Sequence, residues 1–538
     1  MKQFKKLILS ALSFGLCLSL TSCDNLFKII GVDQDENVTL GEYAEHSITL
    51  NQLNKSSSIA TVPSVGNSKL LVVPVYFSDY TPEKLGLDET EVIDNLNKGF
   101  FGESNVTGWE SVSSFYKKSS YGKLNLTGMV TDLFNIGEPL KYVMNKATNE
   151  EETSNVTYYI LDKVNVWLKE KYDLETLKSY DTDNDGYIDG IWLVYLNKYL
   201  NGETNKEYYK EHEGWANGFE NRKGTSDYIN YQKFTWSLWA YTYWRYYEDD
   251  EIDTSSSYPY PHCYAWASYD FFNEGGYTVG LEKKTLVDAH TFIHETGHML
   301  GLDDYYSYEG EDAPVGGLCM MDNNIGDHEA FSKYLLSWVE PKIVKEAGSF
   351  TLKPFEDSGD CLLVPARISN FNNSPYSEYL LIEYYTPTGL NELDATEEYA
   401  SGARMFTKPG ILVYHIDARL VKFTGENNPI FVNKYTDPTS VSYVIIGANN
   451  TPSKSYTDSR LIKLISSEYP TGKYSTGLFN KTTEEYCYKN RSNYRASDID
   501  LFIVGDKITS FDFNMGTYLK YDMSVDNIDT DSATISFA

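Results

Sequence analysis

The chain has 538 residues and a formal net charge of −31 at pH 7, with 77 acidic and 46 basic residues. A surface of this charge repels nucleic acids and anionic lipid headgroups, which excludes nucleic acid as a partner. A chain of this length can bury two or more hydrophobic cores, and its aromatic content of 15% suits a globular protein.

The first 22 residues have the pattern of a bacterial lipoprotein signal peptide. Three lysines precede an apolar stretch, residues 7–20, that is too short to cross a membrane. The following Leu-Thr-Ser-Cys sequence matches a lipobox, which predicts cleavage before Cys23 and acylation of its sulfur. We expect an extracellular lipoprotein whose only attachment to the membrane is this lipid anchor. Release from the membrane is the alternative. An ordinary signal peptide with an incidental cysteine is the alternative.

The next part of the chain divides into a polar segment and an α/β region. Residues 23–65 are predicted to form a tether or a short pro-segment. Residues 70–77 and 191–196 have the apolar composition of buried strands, and residues 154–169 have the spacing of an amphipathic helix. A long aromatic insertion near residues 205–275 either forms a wall of a substrate cleft or decorates the surface.

An acidic loop precedes the second of these strands. Aspartate occupies its first, third and fifth positions and glycine occupies its sixth, as in the first half of an EF-hand. The twelfth position is Trp192 instead of glutamate, so the loop is not a complete EF-hand. An Asp/Gly-rich surface turn is the alternative. The predicted Ca²⁺ ligands are Asp181, Asp183, Asp185, the carbonyl of Tyr187, and Asp189.

One run of eleven residues contains the residue types of a complete zinc-hydrolase site. His294 and His298 are four residues apart, so on a helix they project from one face and can bind one tetrahedral Zn²⁺. Glu295 adjoins the first ligand and can act as general base on a water molecule. Gly301 lets the chain leave the helix sharply, which can return Asp304 as the third ligand.

Other residues near this run have weaker claims to a role. His290 also precedes His294 by four residues, but three successive turns would spread the nitrogens too far for one ion. We therefore expect His290 to pack or to support a ligand. The candidates for oxyanion stabilisation, by proximity in sequence, are Tyr305, Tyr306 and Tyr334.

Short strand patterns separated by turn residues predominate from about residue 346 onwards, which predicts an all-β sandwich. His415 lies near the end of one such strand, and we interpret it as a packed histidine. A disulfide between Cys361 and Cys487 and free buried thiols are both compatible with the sequence.

Several stretches resemble the immune inhibitor A family of secreted bacterial metallopeptidases. Residues 316–322, Gly-Gly-Leu-Cys-Met-Met-Asp, are similar to the methionine turn of metzincin-type enzymes. The resemblance extends from about residue 66 to 420. The other stretches that carry it, besides the zinc motif, are 69–79 (KLLVVPVYFSD), 113–124 (SSFYKKSSYGKL), 329–341 (EAFSKYLLSWVEP) and 410–417 (GILVYHID).

This resemblance implies zinc ligation by His294, His298 and Asp304, with Glu295 as the base. The family often has proline where this chain has Asp303, which leaves a choice between two adjacent aspartates, and the spacing favours Asp304. Met321 is the better match to the methionine of the turn, with Met320 as the alternative.

We thus expect a zincin-like α/β catalytic domain over residues 66–345, with its active-site helix under a twisted sheet, and an all-β sandwich over 346–538. The expected function is a monomeric zinc endopeptidase acting on extracellular proteins or peptides, with Zn²⁺ and Ca²⁺ bound. One alternative is a surface protein that binds a glycan or host protein, with secondary peptidase activity. Another is an amidase acting on cell-wall peptides.

Overall fold

The protein is a mixed α/β protein with several β-sheets. Cys23, Cys487 and most of the aromatic insertion lie outside the described residues. Within the described ranges, no helix is long and apolar enough to span a membrane. The computed structural model describes residues 49–56, 59–144, 153–197, 240–247, 257–273, 277–279, 282–283, 287–308, 314–322, 325–369, 371, 373–399, 406–423, 430–431, 442–450, 460–467, 479–480, 485–486 and 496–538.

The helix that carries the zinc motif is His290–Met299, called the motif helix below. The other α-helices in the described ranges are Leu50–Ser56, Pro82–Leu85, Glu89–Phe101, Val112–Ser119, Leu140–Met144, Thr153–Lys171, Leu174–Lys178, Ala330–Leu335, Phe355–Ser358 and Glu392–Thr396, with 3₁₀ turns at Tyr269–Asn273 and Gly389–Asn391. The strands are β1 (Gly66–Tyr76), β2 (Leu124–Val130), β3 (Phe134–Asn135), β4 (Tyr187–Ile188), β5 (Gly190–Tyr195), β6 (Tyr241–Trp244), β7 (Tyr260–Pro261), β8 (Cys263–Ser268), β9 (Tyr277–Val279), β10 (Glu282–Lys283), β11 (Lys342–Ile343), β12 (Gly348–Leu352), β13 (Cys361–Pro365), β14 (Glu378–Tyr385), β15 (Glu398–Tyr399), β16 (Gly410–Asp417), β17 (Leu420–Phe423), β18 (Ile430–Phe431), β19 (Ser442–Ile445), β20 (Ile462–Ile465), β21 (Phe479–Asn480), β22 (Glu485–Tyr486), β23 (Lys507–Ile508), β24 (Met523–Ile528) and β25 (Ala533–Phe537).

The largest sheet has the strand order β2-β1-β5-β8-β6, with β3 also paired to β1. Its pairs are parallel except for the antiparallel edge strand β6. The predicted strands near residues 70 and 191 are confirmed as β1 and β5, and the predicted helix as Thr153–Lys171. Residues 70–75 of β1 and 191–194 of β5 are apolar and buried, because both faces of the sheet are covered there.

The motif helix lies against one face of this sheet and contacts β6 and β8. Phe292 packs on Trp192 of β5, with ring centroids 5.2 Å apart. The Trp192 indole N–H also donates to the Thr296 hydroxyl at 3.3 Å. These contacts fix the rotation of the helix, so that the opposite face carries the histidines of the motif.

A second sheet, in the order β11-β13-β14-β16-β20, has both faces buried. Leu380 and Ile382 face a core shared with a third sheet, β12-β25-β24-β23. Leu381 and Tyr414 face the core that also contains Ile293 of the motif helix. The hydrophobic core around the zinc motif therefore continues across the predicted border between residues 345 and 346.

The end of the predicted tether is packed into the folded body. Leu50, Leu53, Ile59 and Val62 are buried in the core around the motif helix. The Val62 N–H donates to the carbonyl of Met299 at 2.9 Å. Although its polar composition predicts a tether or pro-segment, the described part of this stretch belongs to the fold and covers one end of the motif helix.

Two interpretations of the β region can be compared with the structure. Cys263, Cys319 and Cys361 are buried free thiols, so Cys361 forms no disulfide here. His415 is a packed histidine, as expected. Its Nε2 lies 2.8 Å from a carboxylate oxygen of Glu378, and its ring packs on Phe511 at 5.0 Å.

Glu383 on β14 is a buried carboxyl group that makes stability depend on pH. Burial raises its pKa to about 8, despite the hydrogen bond from the Ala330 N–H, whereas the ordinary value is 4.5. As pH rises between these values, the unfolded chain loses the proton before the folded one, so stability falls. We expect the melting temperature of wild type to fall more steeply over this range than that of Glu383→Gln. Exposed Glu346→Gln is the control, and equal slopes in all three would contradict the prediction.

Candidate metal centre

The motif helix and the loop after it bring three ligand atoms together. Oδ1 of Asp304 lies 3.1 Å from Nε2 of His294 and 3.2 Å from Nε2 of His298. Nitrogen and oxygen ligands bound at about 2.0–2.1 Å to a tetrahedral zinc ion lie about 3.3 Å from one another. Both distances from Asp304 therefore fit Zn²⁺, and all three ligand atoms lie within 4.8 Å of one another.

Backbone carbonyls orient both imidazoles. Nδ1 of His294 lies 2.8 Å from the carbonyl oxygen of Met320, and Nδ1 of His298 lies 2.7 Å from that of Leu302. Because a carbonyl only accepts, each Nδ1 carries the proton, and in the neutral ring each Nε2 presents a lone pair. Two imidazole lone pairs and a carboxylate then converge, which is an arrangement that a metal cation satisfies.

The sharp turn after the motif helix depends on Gly301, whose φ is +101°. This backbone conformation favours glycine, and a Cβ atom there would also lie 2.5 Å from the amide nitrogen of the Asn54 side chain, which would have to move. The turn returns the chain so that Asp304, not Asp303, joins the two histidines. His290 is not part of this group, in agreement with the sequence argument, and its ring centroid lies 6.5 Å from that of His294.

Burial and charge act in opposite directions on the carboxyl groups of the site. Burial alone would raise the pKa of Asp304, but when the imidazoles are protonated at Nε2 as well, the charge of His298 and the hydrogen bonds from both rings hold that pKa well below its usual range. A metal cation would take the place of those Nε2 protons. Burial raises the pKa of Glu295, and the nearby histidines only partly offset this. One carboxyl group is thus poised to bind a cation and the other to take up a proton.

Glu295 is almost fully buried and lies beside the first ligand in the chain. The Thr242 hydroxyl lies 3.0 Å from Oε2 of Glu295 and 2.8 Å from its backbone oxygen. Thr242 belongs to the edge strand β6, which packs on the motif helix. No sequence pattern identified Thr242, because it is distant from the motif in the chain and lies within the poorly patterned insertion.

The three tyrosines proposed from sequence have different positions. The hydroxyl of Tyr305 lies 3.0 Å from that of Ser332, and the hydroxyl of Tyr334 donates to a backbone carbonyl at 2.5 Å, so neither is directed at the ligands. Tyr306 is the one whose pKa is raised first by burial and then by Asp304 and Glu295. Its ring centroid lies 5.4 Å from that of Tyr308, whose hydroxyl donates to Asp304, and the oxyanion role of Tyr306 stays a prediction.

The segment that resembles the methionine turn packs against the motif helix at Gly297. Met321 places its sulfur against Gly297, where an added Cβ would lie only 2.4 Å from it. Met320 contributes instead the carbonyl that orients His294. The turn has an unusual backbone, since Cys319 has a φ of +80°. The structure thus favours Met321 as the methionine beneath the site.

Because Met321 fills the space beside Gly297, we expect Gly297→Ala to destabilise the protein by about 1–3 kcal/mol through overpacking. Equilibrium denaturation measures this change. Adding Met321→Ala to the same chain should remove the clash, so the two substitutions should be strongly non-additive. Simple additivity would contradict the contact.

The acidic loop is only partly assembled as predicted. Carboxylate oxygens of Asp181, Asp183 and Asp185 lie close enough to hold one cation. Asp189 is instead directed into the fold, where it accepts hydrogen bonds from the N–H of Lys69 at 3.0 Å and from Thr182. Asp189 is not among the three grouped carboxylates, and its role as a calcium ligand stays a prediction.

One neighbour of the loop, Lys55, was not expected from sequence. The ammonium group of Lys55 lies 3.0 Å from Asp183 and 3.4 Å from Asp185. Tyr187, whose carbonyl was predicted as a ligand, donates its N–H to Oδ1 of Asp185 at 3.0 Å. The three aspartates thus have a cation from the N-terminal segment beside them.

Comparisons with protein-family models and with curated proteins found no match.

Proposed function

We propose that this chain is a zinc-dependent endopeptidase that hydrolyses extracellular proteins. The observation that carries the proposal is the convergence of His294, His298 and Asp304 on one point, with the buried carboxyl of Glu295 adjacent. The distances from Asp304 to both imidazoles fit Zn²⁺, and both histidines have the supporting carbonyls that metal-bound imidazoles need.

A zinc ion held by these residues would supply Lewis acidity towards a water molecule and a substrate carbonyl. Glu295 would accept a proton from the attacking water as oxygen adds to the scissile carbonyl carbon. The same carboxyl would then deliver that proton to the leaving amine nitrogen. Thr242 holds Oε2 of Glu295 through its hydroxyl and so restricts the rotation of the base. Tyr306 would donate its hydroxyl proton in a hydrogen bond to the developing oxyanion.

We further propose a zincin-like catalytic fold, membership of the immune inhibitor A family and attachment as a lipoprotein through Cys23. The position of the motif helix against the mainly parallel sheet supports the first of these. The core shared by the second and third sheets supports a β-sandwich as the downstream unit. The family and the anchor rest on the sequence stretches alone.

The experiment for the proposed activity is cleavage of fluorescently labelled, denatured casein by the purified protein. We expect cleavage that stops when a chelator removes zinc and returns when zinc is restored. Cleavage that continues in metal-free protein would overturn the proposal. Stable zinc binding without cleavage of casein or of a random peptide library would favour a binding role.

We also propose that the acidic loop binds Ca²⁺ through Asp181, Asp183 and Asp185. Three carboxylates this close repel one another unless a cation is present. We expect Ca²⁺ to raise the melting temperature at constant zinc, and Lys55→Met to raise the calcium affinity because the ammonium group competes for the same oxygens. Exposed Lys84→Met is the control. A melting temperature that does not respond to Ca²⁺ would contradict the site.

A further inference from the structure

The two oxygens of Asp304 have separate partners. Oδ1 is the atom that lies beside both imidazoles. Oδ2 accepts a hydrogen bond from the hydroxyl of Tyr308. A carboxylate held in this way cannot rotate freely, and one oxygen is left to bind a metal. The hydroxyl therefore sets which oxygen faces the centre, and it disfavours bidentate binding that would fill a coordination position needed for water.

Tyr308 is in turn held by the β region. Its N–H donates to the carbonyl of Asn450 at 2.9 Å. The neighbouring Asn449 is 1% exposed, and its amide nitrogen lies 3.0 Å from the carbonyl oxygen of Tyr305 and 2.9 Å from that of Ile462. The amide oxygen of Asn449 accepts from the Ile462 N–H at 3.2 Å. Since Ile462 begins β20, the loop after Asp304 is fastened to the second sheet.

We propose that Tyr308 is a positioning residue for Asp304, and that Asn449 and Asn450 hold it in place from the β region. This inference rests on the proposed zinc site and adds the residues that fix its third ligand. The second sheet thereby helps to build the metal centre. The buried Asn449 amide is suited to this task because both of its donors and its acceptor are engaged.

The test is the zinc affinity of Tyr308→Phe in the full chain, measured by competition with a chromophoric chelator. The substitution removes only the hydroxyl, and we expect zinc to bind about 10–100-fold more weakly. The visible spectrum of the Co²⁺-substituted protein should change as well, because the carboxylate is free to rotate. Tyr384→Phe is the matched control. It removes a hydroxyl that donates to the Asp529 carbonyl at 2.6 Å, and it should leave both readouts unchanged.

The outcomes separate this inference from the proposed function. Failure of wild type to bind zinc would overturn the proposed function itself. If Tyr308→Phe has the same zinc affinity and Co²⁺ spectrum as wild type, the positioning role is overturned. The proposed function would not be affected by that result. Asn449→Asp provides a second variant, which keeps the size of the side chain but removes its donors. It should also weaken zinc binding in a chain that circular dichroism shows to be folded, and unchanged affinity would contradict the role of the β region.

Discussion

Glu295→Gln should abolish peptide hydrolysis and leave the metal site loaded. The substitution keeps the size of the side chain. It also keeps an oxygen that can accept a hydrogen bond from the Thr242 hydroxyl, which lies 3.0 Å from Oε2 in the wild type. It removes the carboxylate that takes the proton. Loss of a general base lowers the rate by about 10²–10⁴-fold. Steady-state cleavage of labelled casein, with zinc content measured on the same samples, gives both quantities.

The matched control for this variant is Glu170→Gln. Glu170 is an exposed glutamate near the end of the helix Thr153–Lys171, so its replacement should change neither activity nor zinc content. Hydrolysis by Glu295→Gln at the wild-type rate would show that the base lies elsewhere. Loss of zinc together with activity would show that Glu295 acts on the metal site and not on the proton.

Asp304→Ala should remove zinc from the protein. It deletes the carboxylate that lies beside both imidazoles. It also leaves the Tyr308 hydroxyl without its acceptor. In wild type, zinc at 100 times its dissociation constant should stabilise the fold by about 2.7 kcal/mol, because it binds only the folded chain. The variant should show no such gain. Thermal melting over a zinc titration measures the difference.

Asp303→Ala is the control that the chain itself offers. Asp303 is the adjacent residue, and burial raises its pKa to about 6, but it is not among the grouped ligands. Its replacement should leave the response to zinc intact. Loss of the response in Asp303→Ala with retention in Asp304→Ala would reverse the ligand assignment.

The grouping of the three candidate ligands was predictable because it depends on short-range geometry. Helical periodicity places His294 and His298 on one face, and one glycine turn returns Asp304, so eleven consecutive residues contain the information. Strands β1 and β5 were predictable for a similar reason, since continuous apolar runs indicate strands that are buried on both faces.

The residues that hold the site in place were not predictable, because they arrive from distant parts of the chain. Thr242 and Asn449 are ordinary polar residues whose partners are far away in sequence. Tyr308 offered a weak signal, four residues after Asp304, in a chain with 46 tyrosines. Such contacts depend on how the sheets pack together, and spacing along the chain does not record that.

Two local patterns in the sequence did not indicate how the side chains pack. Asp189 has the spacing of a calcium ligand, but the start of β5 places it beside β1, where the N–H of Lys69 and Thr182 use its oxygens. Residues 24–65 look polar as a stretch, yet Leu50, Leu53, Ile59 and Val62 within it are buried. In both cases a tertiary contact decides the position of the side chain.

The most direct test of the central claim is zinc K-edge X-ray absorption of the purified protein. We expect one bound zinc with only nitrogen and oxygen ligands at about 2.0–2.1 Å. The spectrum should also show the outer-shell scattering of two imidazoles. Sulfur at about 2.3 Å would assign the metal to a cysteine site. That result, or a protein that retains no zinc, would contradict the centre formed by His294, His298 and Asp304.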